Sequence, residues 1–423
     1  MKRSTKVIVV GGSLGGLLVA NLLHKAGWDV HVYERVAQEL EGRGAGIVTH
    51  PELDAALEQA GITVDDSLGI KVQERITLSK DGQRVGAREL PQVLTAWGRM
   101  YSILKNAFPP GRYHNGKHVT SVAQDAQSVT AIFDDGEIVQ ADALIAADGI
   151  RSVVRQALLS EVRPQYAGYV AWRGLVEESA LSESVLRELF PYFAFGLPPR
   201  EQMIAYPVAG AGNTVEPGRR RYNFVWYRPA DEPTTLRDML TDSTGKVWHD
   251  GIPPPLIRPE IVAAARQAAV DTLAPQFAEV VEKTESLFFQ PIYDLESSQL
   301  AFGRIALLGD AAFVARPHCG MGVTKAAGDA MALLGALESS NDVTAALKAY
   351  EQPRLAYGSA IVEHARHLGA YMQAQIRTDE EREMAERYRT PVAVMRETAV
   401  PMSPDYKHSG TSPAGLTGTV AVE

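Results

Sequence analysis

A single cysteine, Cys319, stands among 423 residues. No disulfide can form within the chain, and a reducing, cytoplasmic setting is expected. A lone cysteine is more usually a small buried apolar residue than a nucleophile. No run of 18 apolar residues occurs, so neither a spanning helix nor a membrane partner is expected. Met1-Lys2-Arg3 followed by Val7-Ile8-Val9-Val10 imitates a leader, but the apolar run is too short and glycines follow it, so it reads as a first strand. Basic charge is also scarce: 42 Lys and Arg face 51 Asp and Glu, for a net charge of −9. That argues against nucleic acid as a main partner, because phosphate binding needs clustered cations. The run Arg219-Arg220-Arg221 reads as a solvated loop. Ten histidines are scattered, with only His364 and His367 at helical spacing within an expected helix, and no metal site is expected. Internal repeats are absent.

What is present is patterned. Residues 6–10 form a β-branched run, residues 15–26 have helical spacing ending at Gly27, and residues 29–34 alternate. Together they make a βαβ unit in about 30 residues. A helix is expected after Pro51. Asp81-Gly82 and Asp135-Gly136 each sit between alternating runs and predict hairpins, with a helix over 95–108 between them. "ADALIAADG" reads as a buried strand. From about 165 to 295 aromatic-rich strands take over, "YAGYVAWRGLV", "YFAFGL", "QMIAYPVAG" and "RYNFVWYR", which predicts a second, mostly antiparallel sheet. Residues 232–285 read as mainly helical, 304–310 as a buried strand, and 323–338 and 341–390 as helices. The class is α/β, an α+β composite.

Residues 11–16 read Gly-Gly-Ser-Leu-Gly-Gly, after a strand and opening a helix, which is the context a dinucleotide fingerprint requires. Gly11 suits the tight turn, Gly16 suits close packing, and the helix N-terminus attracts phosphate. Ser13 stands where the pattern has its second glycine. Glu34 ends the next strand, placed to accept bonds from a ribose. A plain tight turn with a surface glutamate is the alternative. By itself the fingerprint does not separate NAD from FAD.

Two later motifs do: "ADGIRSVVR" at 147–155, and "GDAA" at 309–312 with Pro317, Gly320 and Gly322 downstream. With the fingerprint, these resemble the single-component FAD-dependent aromatic hydroxylases, the group A flavoprotein monooxygenases. The resemblance covers most of residues 5–370 in the expected order. A closer resemblance, on "GAGIVTHPEL", "YAGYVAWRG", "IAYPVAG", "FVWYR" and "GDAAFVARPH", is to the 2,6-dihydroxypyridine 3-hydroxylase-like branch. Two departures are Ser13 and Thr324, which replaces the asparagine of the wider family.

The resemblance implies a Rossmann-like FAD-binding domain with an inserted antiparallel-sheet substrate domain and C-terminal helices. The expected division is 1–164 and 296–402 for the FAD-binding parts, 165–295 for the substrate sheet, and 403–423 as a flexible tail. It implies tightly bound, non-covalent FAD, NADH or NADPH as a transient reductant, O2 as co-substrate, and hydroxylation of an electron-rich ring through a flavin C4a-hydroperoxide. A reductase or oxidase of the same fold is the alternative. A homodimer is plausible. FAD contacts are implied for Gly11, Ser13, Leu14, Gly15, Gly16, Glu34, Arg35, Gly46, Ile47, Arg99, Asp148, Gly149, Gly309, Asp310, Pro317, Gly320, Met321, Gly322 and Val323. Asp310 would accept from the ribityl chain. His318 is the first candidate general base, then His50; each could instead be structural. Tyr206, Trp226 and Tyr227 could stack the ring, or be core. Arg173 and Arg316 could neutralise a substrate oxyanion, and Lys325 could touch flavin or substrate.

Overall fold

The computed structural model describes residues 5–40 and 46–402. The expectations for the first residues and for the tail from 403 lie outside the described residues.

The strand Lys6–Val10 pairs in parallel with Asp29–Glu34 on one side and Ala143–Ala146 on the other. Ala143–Ala146 continues, again in parallel, to Ile305–Leu307. The six-stranded sheet is completed at its edges by Ala301–Phe302 and Tyr113–Asn115. Its central strands are buried on both faces, which is why they are unbroken apolar runs rather than alternating ones. Helices Leu14–Lys25 and Gly322–Ser339 pack together against it, and a small sheet of Val119–Gln124, Val129–Phe133 and Ile138–Ala141 stands apart.

A nine-stranded sheet forms the second layer system. Its order is Phe313–Val314, Phe288–Glu296, Gln165–Glu177, Arg221–Pro229, Gln202–Val208, Phe193–Gly196, Ile70–Leu78, Arg84–Ala96, Gly46–Val48. Most neighbours are antiparallel, but Phe193–Gly196 runs parallel to Ile70–Leu78. The aromatic-rich sheet is therefore not confined to 165–295. It takes three strands from 46–96 and one from 313–314. Periodicity identified the 70–96 hairpin as strands, but it carries no information about which sheet edge a hairpin extends.

The two faces of this sheet bury different things. Tyr222, Phe224 and Trp226 pack against helices Pro259–Thr272 and Pro275–Lys283, whereas Val225 and Tyr227 face the opposite way with Tyr206 and Phe193. Alternation along a strand makes this unavoidable.

The strand expected over 304–310 stops at Leu307. Gly309–Ala311 is a 3₁₀ turn, so Asp310 is delivered by the turn after the strand. Gly309 there has φ +63°. No helix among the described residues is long and apolar enough to cross a membrane.

Candidate active site

Two cavities, of about 420 and 940 Å³, open along the seam between the layer systems. Ile150, Arg151 and Asp310 line both, so the two form one bent groove with Asp310 at its elbow.

The smaller cavity is built from the fingerprint. Gly11 has φ +98°, and a side chain there would lie 2.4 Å from the Ala147 carbonyl oxygen. A Cβ on Gly16 would lie 1.9 Å from the Gly11 oxygen. Both positions exclude any side chain. Ser13 caps the first helix without using its hydroxyl on the backbone, and it lines the cavity. Glu34 is buried: Oε2 accepts from the Gly12 N–H at 2.8 Å and Oε1 from the Val36 N–H at 2.9 Å. Each oxygen keeps a lone pair, and Glu34 and Arg35 line the cavity. Asp148 accepts from the Val153 N–H at 2.8 Å through Oδ2, while its buried Oδ1 has no partner among the described residues. Burial raises its carboxyl pKa. Gly149, at φ +80°, stands beside open space.

Leu14 is buried in the core, and Gly15 packs near Ala326 and Leu308; neither side reaches a cavity. Arg99 donates to Ser67, through Nε to the carbonyl at 3.2 Å and Nη2 to Oγ at 2.9 Å, and lines neither cavity. Its helix instead offers Trp97 to the smaller one.

At the elbow, Asp310 is exposed to the groove. The surrounding protein raises its carboxyl, Lys325 opposes that, and Asp329 adds to it. Beyond it, Pro317, Gly320, Gly322 and Val323 line the larger cavity, and Gly322 opens the 18-residue helix Gly322–Ser339. A helix N-terminus favours negative charge. Met321 offers backbone only, its side chain being fully buried in the core. Lys325 is also buried, with Nζ 3.6 Å from Asp329, and it lines neither cavity.

The larger cavity is walled by the sheet. Gly46, Ile47, Phe193, Ile204, Tyr206, Val225 and Tyr227 line it. Tyr206 stacks on Phe193 at 4.9 Å and 19°. It lies so close to Gly46 that a Cβ there would come within 2.3 Å of its ring. Arg173 lines the same cavity. Its buried Nε has no hydrogen-bond partner, and no carboxylate pairs with it among the described residues. Its field reaches both phenols: burial pushes Tyr206 up to about 12 and Tyr227 up as well, and Arg173 opposes both shifts.

Several expected residues are elsewhere. Trp226 points to the far face, where its Nε1–H donates to Glu201 Oε2 at 2.8 Å. Adjacent strand residues cannot share a face, so only Tyr227 of that pair meets the cavity. Arg316 is committed to Asp294 at 2.9 Å and Gln373 at 2.8 Å and does not line the cavity. His50 is absent from the lining as well: Nδ1 meets Thr324 Oγ1 at 2.9 Å and Nε2 meets the Ala399 carbonyl at 3.5 Å. Thr324 is thus explained as a partner of His50. His318 does line the cavity, with Nε2 2.9 Å from the Tyr169 hydroxyl and a buried Nδ1 without a partner among the described residues. Burial, with Arg316 adding, holds it well below the usual imidazole range, so it is neutral but weakly basic. Cys319 is buried and its thiol is pushed up to about 11, which leaves it inert.

A family model described as FAD binding domain-like matches residues 166–294, and one described as FAD binding domain matches 254–365. The chain is 33% identical over 372 residues to 2,6-dihydroxypyridine 3-monooxygenase of Paenarthrobacter nicotinovorans, covering 87% of this chain and 91% of that protein. The chain belongs to the FAD-dependent aromatic hydroxylases. The solved structure of 2,6-dihydroxypyridine-3-hydroxylase from Arthrobacter nicotinovorans superposes with a TM-score of 0.83 at 32% identity, over 88% of this chain and 94% of that one. An FAD-dependent urate hydroxylase of Klebsiella pneumoniae is 30% identical over 380 residues, covering 82% of this chain and 85% of that protein.

This hydroxylase has residues that fit FAD. The glycine turn without room for side chains, the orphaned Asp148 Oδ1 and the shared Asp310 make one continuous polar track. Gly11, Ser13, Glu34, Arg35, Asp148 and Gly149 would hold the nucleotide half, Asp310 the linking chain, and Gly320 to Val323 the ring edge. FAD, when bound, supplies the electron transfer from NAD(P)H and the activation of O2 that side chains cannot perform.

Some lining residues carried no sequence signal. Ile150 and Arg151 follow the Asp-Gly motif, and Trp248 to Pro254 come from an irregular loop whose Asp250 lies 3.7 Å from Arg151 across the mouth. A loop side chain acquires its place only through the fold that carries it.

His50 also sets a pH dependence. Burial, with Arg75 adding, pulls it down to about 4, whereas an unfolded chain protonates histidine near 6.5. Between those values the unfolded state holds the extra proton. Stability is therefore fully present above 6.5 and falls as pH drops towards 4. By pH 5 the cost from His50 is expected to be roughly 2 kcal/mol. Urea midpoints at pH 7 and 5 should lie closer together in His50→Gln than in the parent; an unchanged gap would exclude His50 as the source.

Proposed function

We propose that this hydroxylase acts on a ring that binds as an oxyanion, a hydroxylated aromatic or N-heteroaromatic compound such as a hydroxypyridine. Arg173 carries this reading. An unpaired guanidinium in a cavity walled by Tyr206, Tyr227 and Phe193 needs an anion. No candidate base offers an alternative route to that anion: His318 is held low, Tyr206 is held high, and His50 is off the cavity. Arg173 lowers the pKa of a ring hydroxyl placed beside it, so the substrate is selected already ionised. The ionised oxygen enriches the ring in electrons, which suits attack by an electrophilic oxygen. Phe193 and Tyr206 offer flat faces to hold a planar ring.

The balance is one NAD(P)H, one proton, one O2 and the ring, giving NAD(P)+, water and the ring with one C–H converted to C–OH. The names of the relatives above, both acting on nitrogen heterocycles, support the heteroaromatic class. The purified protein is expected to be yellow. A panel of hydroxylated benzenes, pyridines and purines, scored by NADH and NADPH consumption and by product mass, should show at least a tenfold stimulation by one class with a mass gain of one oxygen. Failure to bind FAD, or no ring-stimulated oxidation across the panel, would defeat the proposal.

A further inference from the structure

Arg75 is a cation with no exposed surface, and no carboxylate pairs with it among the described residues. A buried charge of this kind is costly unless its donors are all met. Here three bonds go to one short segment and two to Gln92. Nη1 donates to the carbonyls of Thr398 at 2.6 Å and Met395 at 3.0 Å, and Nη2 to Ala399 at 3.0 Å. Nε and Nη2 also reach Gln92 Oε1 at 3.0 and 2.6 Å, and Gln92 donates back to the Ala399 carbonyl at 3.0 Å. The guanidinium lies 4.8 Å from the Phe193 ring centroid, on the wall of the larger cavity.

Ala399 is the focus of this arrangement. It is one of four described non-glycine residues with positive φ, at +51°, a conformation an alanine holds only against strain. Its carbonyl accepts from Arg75 and Gln92 and meets His50, and its N–H donates to the His318 carbonyl at 3.1 Å. It lines the larger cavity, and its Cα lies 2.7 Å from where a Cβ on Gly320 would be. One residue therefore ties the 395–402 segment to the turn at the ring edge, the substrate wall and the helix-capping histidine.

We propose that Arg75 is a positioning residue that seats residues 395–402 as a fixed wall of the ring cavity, and that this seat determines how much consumed NAD(P)H ends in hydroxylated product rather than hydrogen peroxide. The physical reason is water. A loosened wall beside Gly320 opens the reactive edge to solvent, which favours peroxide loss over transfer to the ring. The proposal rests on the reading of the larger cavity as the ring site. Lysine cannot replace the fork, because one ammonium cannot span three carbonyls and Gln92 in that plane.

Two variants test it. In Arg75→Lys, hydrogen exchange of the backbone amides over 391–402 should rise at least tenfold in the FAD-loaded protein without substrate. Product formed per NAD(P)H should fall at least twofold, with flavin content unchanged. Ala399→Val leaves Arg75 intact but sets a branched side chain in a strained conformation against Gly320, and should do the same; it carries the test if Arg75→Lys does not fold. Unchanged exchange in these variants, or raised exchange with unchanged coupling, overturns the proposal. A parent protein that turns over no ring defeats the substrate reading and the coupling claim with it, while the exchange result still stands or falls by itself.

Discussion

Asp310→Ala is expected to purify with most of its FAD missing. The carboxylate is the single acidic group shared by both cavities, at the elbow where an extended cofactor must bend. The turn around it is held from behind. The Gly309 N–H donates to Asp329 at 3.1 Å, and Asp329 is pinned by Arg354 at 2.7 Å and lies 3.6 Å from Lys325. Asp310 is therefore presented rigidly, and a hydroxyl donating to it makes a charge-assisted bond worth about 1.5–3 kcal/mol. Its loss corresponds to roughly tenfold to a hundredfold weaker FAD binding. Asp310→Asn, which keeps an acceptor but not the charge, should fall between the two. Flavin-to-protein absorbance after purification and titration of the apoprotein with FAD measure this. Full retention with normal turnover in Asp310→Ala would remove the role assigned to it.

Arg173→Met should behave in the opposite way, keeping FAD and losing the substrate. Methionine preserves much of the volume, so Tyr206 and Tyr227 keep their wall. What disappears is the cation proposed to hold an anionic ring. Breaking a buried charge pair from one side costs on the order of 3–5 kcal/mol; Arg173 is half-buried, so the lower end applies and kcat/KM for the best ring should fall by about a hundredfold. The pH profile should also move. Without Arg173, the ring ionises at its own higher pKa, and the rising limb of activity should shift towards alkaline pH. Arg173→Lys should restore part of the rate. Unchanged kcat/KM in Arg173→Met, with the parent active, would show that the substrate is not held by this charge.

The parts of this protein that were legible in the chain are those governed by local rules. Val7 to Val10 read as a buried parallel strand because a strand covered on both faces has no polar side. Gly11 and Gly16 marked a turn that no side chain fits. Asp148-Gly149 and Gly309-Asp310 each followed a buried strand. Cofactor class and fold follow from those motifs and their order.

The candidates that lie off the cavities share a physical cause: spacing along the chain does not report direction in space. Trp226 and Tyr227 are both candidates to stack the ring or to be core, and alternation sends Trp226 to Glu201. Arg316 sits two residues from His318 but turns to Asp294. Arg99 bonds Ser67, and His50 braces Thr324 instead of facing the cavity. The aromatic-rich sheet takes strands from 46–96, because a hairpin's pattern does not say which edge it will extend.

The sequence by itself determined the cofactor, the chemistry and the βαβ scaffold, since these depend on short-range backbone geometry. Only the tertiary structure decided which cation lines the larger cavity and which loop stands beside it. It alone brought the Arg75 guanidinium onto the carbonyl of Ala399, more than 300 positions away. Such contacts exist only after distant segments have packed, and nothing in local spacing encodes them.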